Sequence, residues 1–368
     1  MRRIFIFMSV LALMLGFVNK INAQGEAAVP FLLLAPDSRF GALGEAGAGL
    51  ADNSSAIFWN PAGIAFQTGS EIGITHANWL PQFGLDLSYD YVTYRQYMES
   101  IDGSITASLT YMNYGEFQYT GEGGPEVLGT FNSFDIGATI GYATKLGDDW
   151  GLGFNFRLIY SNLSSKQVGQ EEGKGVATTV SFDIGGMWRP MGFLDGDFSV
   201  GANLSNIGPD ISYIDQAQAD PLPTNARLGF AYRLMEDEYN SLTLVADVSK
   251  LLVNRKSSLT SGDTTEVSND FQKSLEFSGG AEYWYGVPSD FMFAVRAGYF
   301  YEDADFGNRN FMTFGAGIRY DIFGFDFSYI STVGSDSENH PLDGTLRFSL
   351  IIDWDTVPQK TTGLPRGI

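Results

Sequence analysis

The chain has 368 residues, no cysteine, and 22 Lys and Arg against 43 Asp and Glu, a formal charge of −21. The missing cysteine excludes disulfides, thiol catalysis, cysteine-ligated zinc and a lipoprotein anchor, and the acidity argues against nucleic acid as a partner. High glycine (44) and aromatic (14%) contents with only 18% charged residues leave two classes: a soluble β-protein, or an outer-membrane β-barrel whose strands are each half apolar.

The N-terminus reads MRRIFIFMSVLALMLGFVNKINAQ. Arg2 and Arg3 precede an apolar run from Ile4 to Val18, and Asn22-Ala23-Gln24 offers a small-residue cleavage site. This predicts a signal peptide over residues 1–23, its apolar run being shorter than the roughly 20 residues of a membrane-spanning helix. Its removal takes away Arg2, Arg3 and Lys20 and moves the formal charge from −21 to −24. No later apolar run approaches the roughly 18 residues of a transmembrane helix.

Residues 24–69 lack sustained alternation and are rich in Gly and Ala, as in GALGEAGAGLA followed by DNSSAIFWNPAGIA. A segment with few bulky side chains can fold inside a narrow lumen, where Gly permits close backbone approach. Pro61 fixes φ and removes a donor, biases Asn60 toward an extended shape, and leaves the Asn60 amide to stabilise a turn. Phe58, Trp59 and Phe66 are expected to anchor this N-terminal plug, or hatch, with FWNPAG as its hinge.

From residue 70 the period is two. Fourteen alternating segments are read at 70–78, 84–97, 103–114, 131–145, 150–162, 175–189, 196–206, 222–235, 240–252, 272–285, 290–301, 309–322, 324–331 and 343–354. In GLGFNFRLIY, Leu152, Phe154, Phe156, Leu158 and Tyr160 oppose Gly153, Asn155, Arg157 and Ile159. Short connections (ESID, LGDD, MEDEY) alternate with long ones, as periplasmic turns and extracellular loops do in membrane barrels. Tyr and Trp near segment ends, among them Tyr89, Tyr91, Tyr111, Tyr114, Trp150, Trp188, Trp284 and Trp354, suit interfacial girdles. The fold expected is all-β: a 14-stranded antiparallel outer-membrane β-barrel over residues 70–354 with an N-terminal plug, and a periplasmic C-terminal tail at 355–368.

The faces opposite the apolar ones would line the lumen. They carry Asp86, Asp90, Arg157, Asp183, Arg227, Arg233, Asp247, Glu276, Glu282, Arg296, Arg319, Asp326, Arg347 and Asp353. Both signs occur in comparable number, which favours a salt-bridged, plugged lumen over a selective pore with one dominant sign.

Nothing points to catalysis. His76 and His340 are the only histidines, neither has a G-x-S-x-G nucleophile nearby, and no H-E-x-x-H metal spacing occurs. No catalytic residue, metal or cofactor is expected.

Phe31–Phe66 (FLLLAPDSRFGALGEAGAGLADNSSAIFWNPAGIAF), Asn78–Phe83 (NWLPQF) and His340–Asp353 (HPLDGTLRFSLIID) resemble the PorV family within the FadL-like barrels. The most specific part is Ala35-Pro36-Asp37-Ser38-Arg39 leading into Asn60-Pro61-Ala62-Gly63. The resemblance implies a non-enzymatic outer-membrane component of the type IX secretion system of Bacteroidetes. Its implied partners are the translocon barrel, cargo proteins with C-terminal sorting domains, and a sortase-like surface attachment complex, with outer-membrane lipid around the wall. Loops mixing aromatic and polar groups suit a protein hot spot, so Phe117, Gln118 and Tyr119, and Ile211, Tyr213 and Ile214, are the candidate partner contacts. The competing expectation is FadL-like uptake of hydrophobic small molecules, through an apolar pocket between plug and wall.

Overall fold

The computed structural model describes residues 27–120, 126–165, 174–190, 193–194, 197–214, 219–253, 271–287, 291–333 and 340–354. The predicted signal peptide and C-terminal tail lie outside them. The strands are β1 (Ser70–Asn78), β2 (Ser88–Met98), β3 (Gly103–Thr120), β4 (Val127–Lys145), β5 (Trp150–Ser164), β6 (Gly175–Trp188) and β7 (Phe198–Ile207). They continue as β8 (Asn225–Glu236), β9 (Asn240–Leu251), β10 (Leu275–Gly286), β11 (Phe291–Glu302), β12 (Asn310–Tyr320), β13 (Phe323–Thr332) and β14 (Leu346–Trp354). Each pairs antiparallel with its sequence neighbours, and β1 closes the barrel on β14 from Ser70↔Trp354 to Asn78↔Leu346. All fourteen predicted segments are strands.

Alternation decides which way the side chains face. On β5, Phe154, Phe156, Leu158 and Tyr160 are exposed to the lipid side, while Asn155, Arg157 and Ile159 are buried inside. No helix among the described residues is long and apolar enough to cross a membrane. The connections 99–102, 146–149, 237–239 and 321–322 lie at the end where β1 begins and β14 stops, and β7, β9 and β13 run out at the opposite end. Short turns mark the periplasmic end of such barrels. In the 237–239 turn, backbone hydrogen bonds from Tyr239 and the side chain of Asn240 hold the Asp237 carboxyl below the usual range.

β3 and β4 depart from expectation. The predicted loop after residue 114 is instead largely strand, with a bulge between Asn113 and Gly115 and pairing onward to Thr120↔Val127. Gly115 takes φ +84, where only glycine is unstrained.

The core lies inside the barrel, between wall and plug. Short helical turns at Pro30–Leu33, Ser38–Gly41, Ala56–Trp59 and Pro61–Phe66 fill the lumen. Phe31, Ile57, Ile64 and Phe66 pack with wall residues Tyr89, Tyr91, Met112 and Ile159. Phe40, Leu43, Leu50 and Trp59 pack against Ala231 and Val245. The plug backbone rests directly on wall glycines: a Cβ on Gly280 would lie 2.7 Å from the Leu43 carbonyl oxygen, and one on Gly201 would lie 2.6 Å from the Asn60 amide nitrogen.

Candidate functional site

The seven plug-motif residues Asp37, Ser38, Arg39, Asn60, Pro61, Ala62 and Gly63 are all buried within the barrel. Asp37 caps the Ser38–Gly41 turn by accepting from Phe40 N at 3.0 Å, and its other oxygen accepts from Trp59 Nε1 at 2.8 Å. One carboxylate thereby ties the first half of the plug to the second. Ser38 N donates to Ser349 Oγ on β14 at 3.0 Å.

Asn60 is extended, with φ −163, ahead of the Pro61 turn. Its Oδ1 accepts from Ala62 N at 3.1 Å, while Nδ2 donates at 3.1 Å both to the Ala48 carbonyl and to the Gly186 carbonyl on β6. One amide thus shapes the turn, crosses the plug and reaches the wall. Gly63 leaves no room for a side chain against Ala51.

Arg39 is the plug's central cation. It meets Asp52 at 2.6 Å and clamps Glu282 of β10 through Nε–Oε2 and Nη2–Oε1, both 2.7 Å. The chain of charges continues along the wall. Arg296 Nε holds Glu282 at 2.6 Å, Arg296 Nη1 holds Asp326 at 2.8 Å, and Arg319 holds Asp326 at 2.6 Å. The Trp284 ring lies 5.1 Å from the Arg296 guanidinium and 5.2 Å from that of Arg319, within cation–π range.

Most of the other predicted lumen charges also face inward. Arg157 pairs with Asp183 at 2.8 Å, and Arg227 with Asp247 at 3.7 Å while donating to the Glu45 carbonyl. Asp247 in turn accepts from Gly47 N and Ala48 N at 2.8 Å. Arg233 pairs with Asp197 and Glu236, Glu276 with Arg309, and Arg347 with Glu45 at 3.5 Å.

Two expected lumen charges are elsewhere. Asp86 is exposed in the β1–β2 connection, and Asp90 faces outward on β2, 2.7 Å from His76 Nδ1. On β2 it is Tyr89, Tyr91, Thr93 and Arg95 that point in, against an apolar part of the plug. Tyr89, Tyr91 and Trp284 are therefore core residues and not girdle, and Tyr114 turns inward to donate to Asp135 at 2.7 Å. The same reversal hid Arg95, which pairs with Glu71 at 3.2 Å and lies 3.8 Å from Asp353. Glu71 accepts from Ser54 N of the plug at 2.8 Å. Asp52 and Glu45, the plug's own acids, carried no signal in the alternation because the plug has none.

At the periplasmic mouth, Arg189 donates to the Leu50 carbonyl at 2.5 Å and lies 4.9 Å over the Phe66 ring, which Lys145 approaches at 5.5 Å. Burial lowers the Arg189 guanidinium to about 10.

The candidate partner loops divide. Phe117 and Tyr119 stand on the upper part of β3, and Phe117 stacks on Phe131 at 5.9 Å. Ile211 is buried in an isolated bridge with Asp220, so it is withdrawn from any partner. Tyr213 is half-buried and donates to Ser161 Oγ at 2.9 Å, and Ile214 alone of that group is exposed. Among the described residues no group of three or more acids and histidines is placed to hold a metal.

The barrel superposes on the Pseudomonas putida toluene transporter TodX with a TM-score of 0.52 at 13% identity, covering 86% of this chain and 95% of that one. It superposes on the CymD monoaromatic hydrocarbon channel with a TM-score of 0.51 at 10% identity, covering 89% and 99%. A Pseudomonas aeruginosa FadL homologue aligns with a TM-score of 0.49 at 14% identity, over 86% and 98%. At such identities what TodX and CymD share with this chain is the fold. No curated protein matches the sequence. The family model described as type IX secretion system protein PorV matches residues 19–258, well over half of the chain, and with the closed, plugged barrel around that segment the chain belongs to the PorV family of outer-membrane proteins.

Proposed function

We propose that this protein receives secreted cargo at the outer membrane: it binds the C-terminal sorting domains of type IX substrates as they leave the translocon and passes them to the sortase-like attachment complex at the surface. The family match supports the secretion role. The observation that carries the rest is the Arg39 junction, whose buried contacts to Asp52 and Glu282 fasten the plug across the lumen. A lumen closed in this way leaves the work to the outer surface and the extracellular end. The protein acts as a scaffold and not as an enzyme. In this reading residues 1–23 are the signal peptide, 24–69 the hatch and 355–368 a periplasmic tail.

Deleting the gene is expected to abolish surface display of proteins carrying type IX sorting domains while their synthesis continues. Normal display in the deletion strain would overturn the proposal.

A second reading, uptake of a hydrophobic small molecule, draws support from a small cavity between plug and wall. Phe31, Leu32, Ile57 and Phe58 line one side, Tyr91, Thr139 and Arg157 the other. Loss of hydrocarbon uptake in the deletion strain, with display intact, would favour it.

A further inference from the structure

The barrel wall is uneven. β1 and β14 have 9 residues each, whereas β3 has 18 and β4 has 19. β2 begins at Ser88, opposite Asn113, so β3 continues alone past its neighbour from Tyr114 to Thr120. At the rise of a strand, that overhang is roughly 20 Å. It stands beside a low shoulder made by β14, β1 and β2, and the bulge after Asn113 bends it relative to the wall below.

One edge of this overhang pairs with β4 as far as Thr120↔Val127. Among the described residues no strand pairs with its other edge, although at its base Gly115 N donates to Asn113 Oδ1 at 3.0 Å and Asn113 Nδ2 to the Asp86 carbonyl at 3.3 Å, so the open run begins above Gly115. A row of unpaired backbone N–H and C=O groups is a template for another strand, and proteins commonly block such edges with Lys or Pro. Tyr114–Thr120 contains neither. The Phe117–Phe131 stack holds the ribbon in shape, while Glu116, Phe117 and Gln118 remain exposed.

The shoulder below is also unlike the rest of the wall. His76, Asn78, Ser88 and Asp90 face outward there, as the register pairs His76↔Asp90 and Asn78↔Ser88. Along the same rungs the outward neighbours are Phe348 and Phe327 on one side and Tyr111 and Ile136 on the other. Ionisable and amide groups are poorly placed against hydrocarbon and mark a contact with something polar.

We propose that the free upper edge of β3, Glu116–Thr120, takes up a β-strand from a protein partner that settles over the β14–β1–β2 shoulder. Strand addition of this kind draws affinity from main-chain hydrogen bonds and specificity from alternate side chains. The exposed carboxylates of Asp86, Glu116 and Glu126, with the half-buried Asp90 beside His76, select an arriving strand with basic side chains and disfavour an anionic lipid headgroup. The partner is the cargo sorting domain, an assignment that rests on the function proposed above.

The test uses the full barrel in detergent micelles and, as probe, a purified sorting domain of a secreted protein from the same cell. Hydrogen exchange of the wild-type complex is expected to slow at amides within Glu116–Thr120. Successive residues of a strand direct their N–H groups to opposite edges, so Phe117→Pro and Gln118→Pro are both made. The one that removes an edge donor should weaken binding by about tenfold or more, with heat-modifiable migration of the barrel retained. Binding that leaves exchange at Glu116–Thr120 unchanged and tolerates both prolines would overturn strand addition and leave cargo recognition standing. Failure of the wild-type barrel to bind the domain at all would overturn both.

Discussion

Arg39 of the plug and Glu282 of β10 share two contacts of 2.7 Å, and the same guanidinium holds Asp52 at 2.6 Å. All three side chains are buried, so the fork geometry of arginine is used on both sides. Removing one member of a buried pair leaves the other charge uncompensated, at a cost of about 3–5 kcal/mol. Arg39→Met is expected to lower the temperature at which the folded, fast-migrating band disappears on a gel. Arg39→Lys restores the charge without the fork and should recover only part of the loss. Glu282→Gln should be milder than Arg39→Met, because Asp52 keeps its partner. Equal heat resistance in all three variants would show that the junction does not hold the plug.

Neighbouring glycines on β10 separate the plug seat from the lipid face. A Cβ on Gly280 would meet the Leu43 backbone at 2.7–2.9 Å, whereas one on Gly279 finds nothing nearer than the Val245 carbonyl at 3.2 Å. Gly280→Ala must therefore shift the plug backbone, and Gly279→Ala need not. The chain has no cysteine, so an introduced Ser54→Cys is a unique thiol inside the plug. Its labelling by a water-soluble maleimide should accelerate in the Gly280→Ala background and stay slow in the Gly279→Ala background. Matched rates would rule out close seating at this point.

The strands were legible because most of those crossing the membrane have a polar face toward the plug and a greasy face toward lipid, and period two records the difference. Where that contrast fails, so does the reading. Above Asn113 both faces of the β3–β4 ribbon meet water, and alternation no longer distinguishes strand from loop. On β2 the plug presents Phe31, Leu32 and Ile57 to the wall, so aromatic residues point inward and Asp90 outward. Assigning polar residues to the lumen then misplaced Asp90 and concealed Arg95. Within the plug, Asn60 and Pro61 were readable from their turn chemistry. Glu45 meets Arg347 302 residues on, and Asp52 meets Arg39 13 residues back within a segment that has no regular period, so neither role is written in a repeating pattern.

Asn60 offers a sharper test of the plug because it donates and accepts at once. Asn60→Asp keeps the shape and the contact from Ala62 N, but sets a carboxylate oxygen against the Ala48 and Gly186 carbonyls. A buried group facing like partners loses its hydrogen bonds and its desolvation is uncompensated, which costs about 1–3 kcal/mol, more if charged. Asn60→Ala leaves the two carbonyls unpaired without adding charge. Unfolding in urea should rank wild type above Asn60→Ala, and Asn60→Ala above Asn60→Asp. An aspartate variant as stable as wild type would mean that the amide donor is unused.

His76 and Asp90 form the one histidine–carboxylate contact described on the outer wall at strand level, 2.7 Å apart with side chains 60% and 43% exposed. Pairs this open contribute no more than about 1 kcal/mol to stability, and on a lipid-facing surface apolar residues serve at least as well. His76→Val combined with Asp90→Leu is therefore expected to leave the barrel's denaturant midpoint unchanged or slightly raised. Surface display of cargo should fall in the same variant, because the shoulder would lose the polar groups that meet the partner. The two readouts are independent: a lowered midpoint would make the pair structural, and normal display would make the shoulder idle. The Arg39 junction provides the opposite control, since breaking it should damage stability first and display only through the loss of folded barrel.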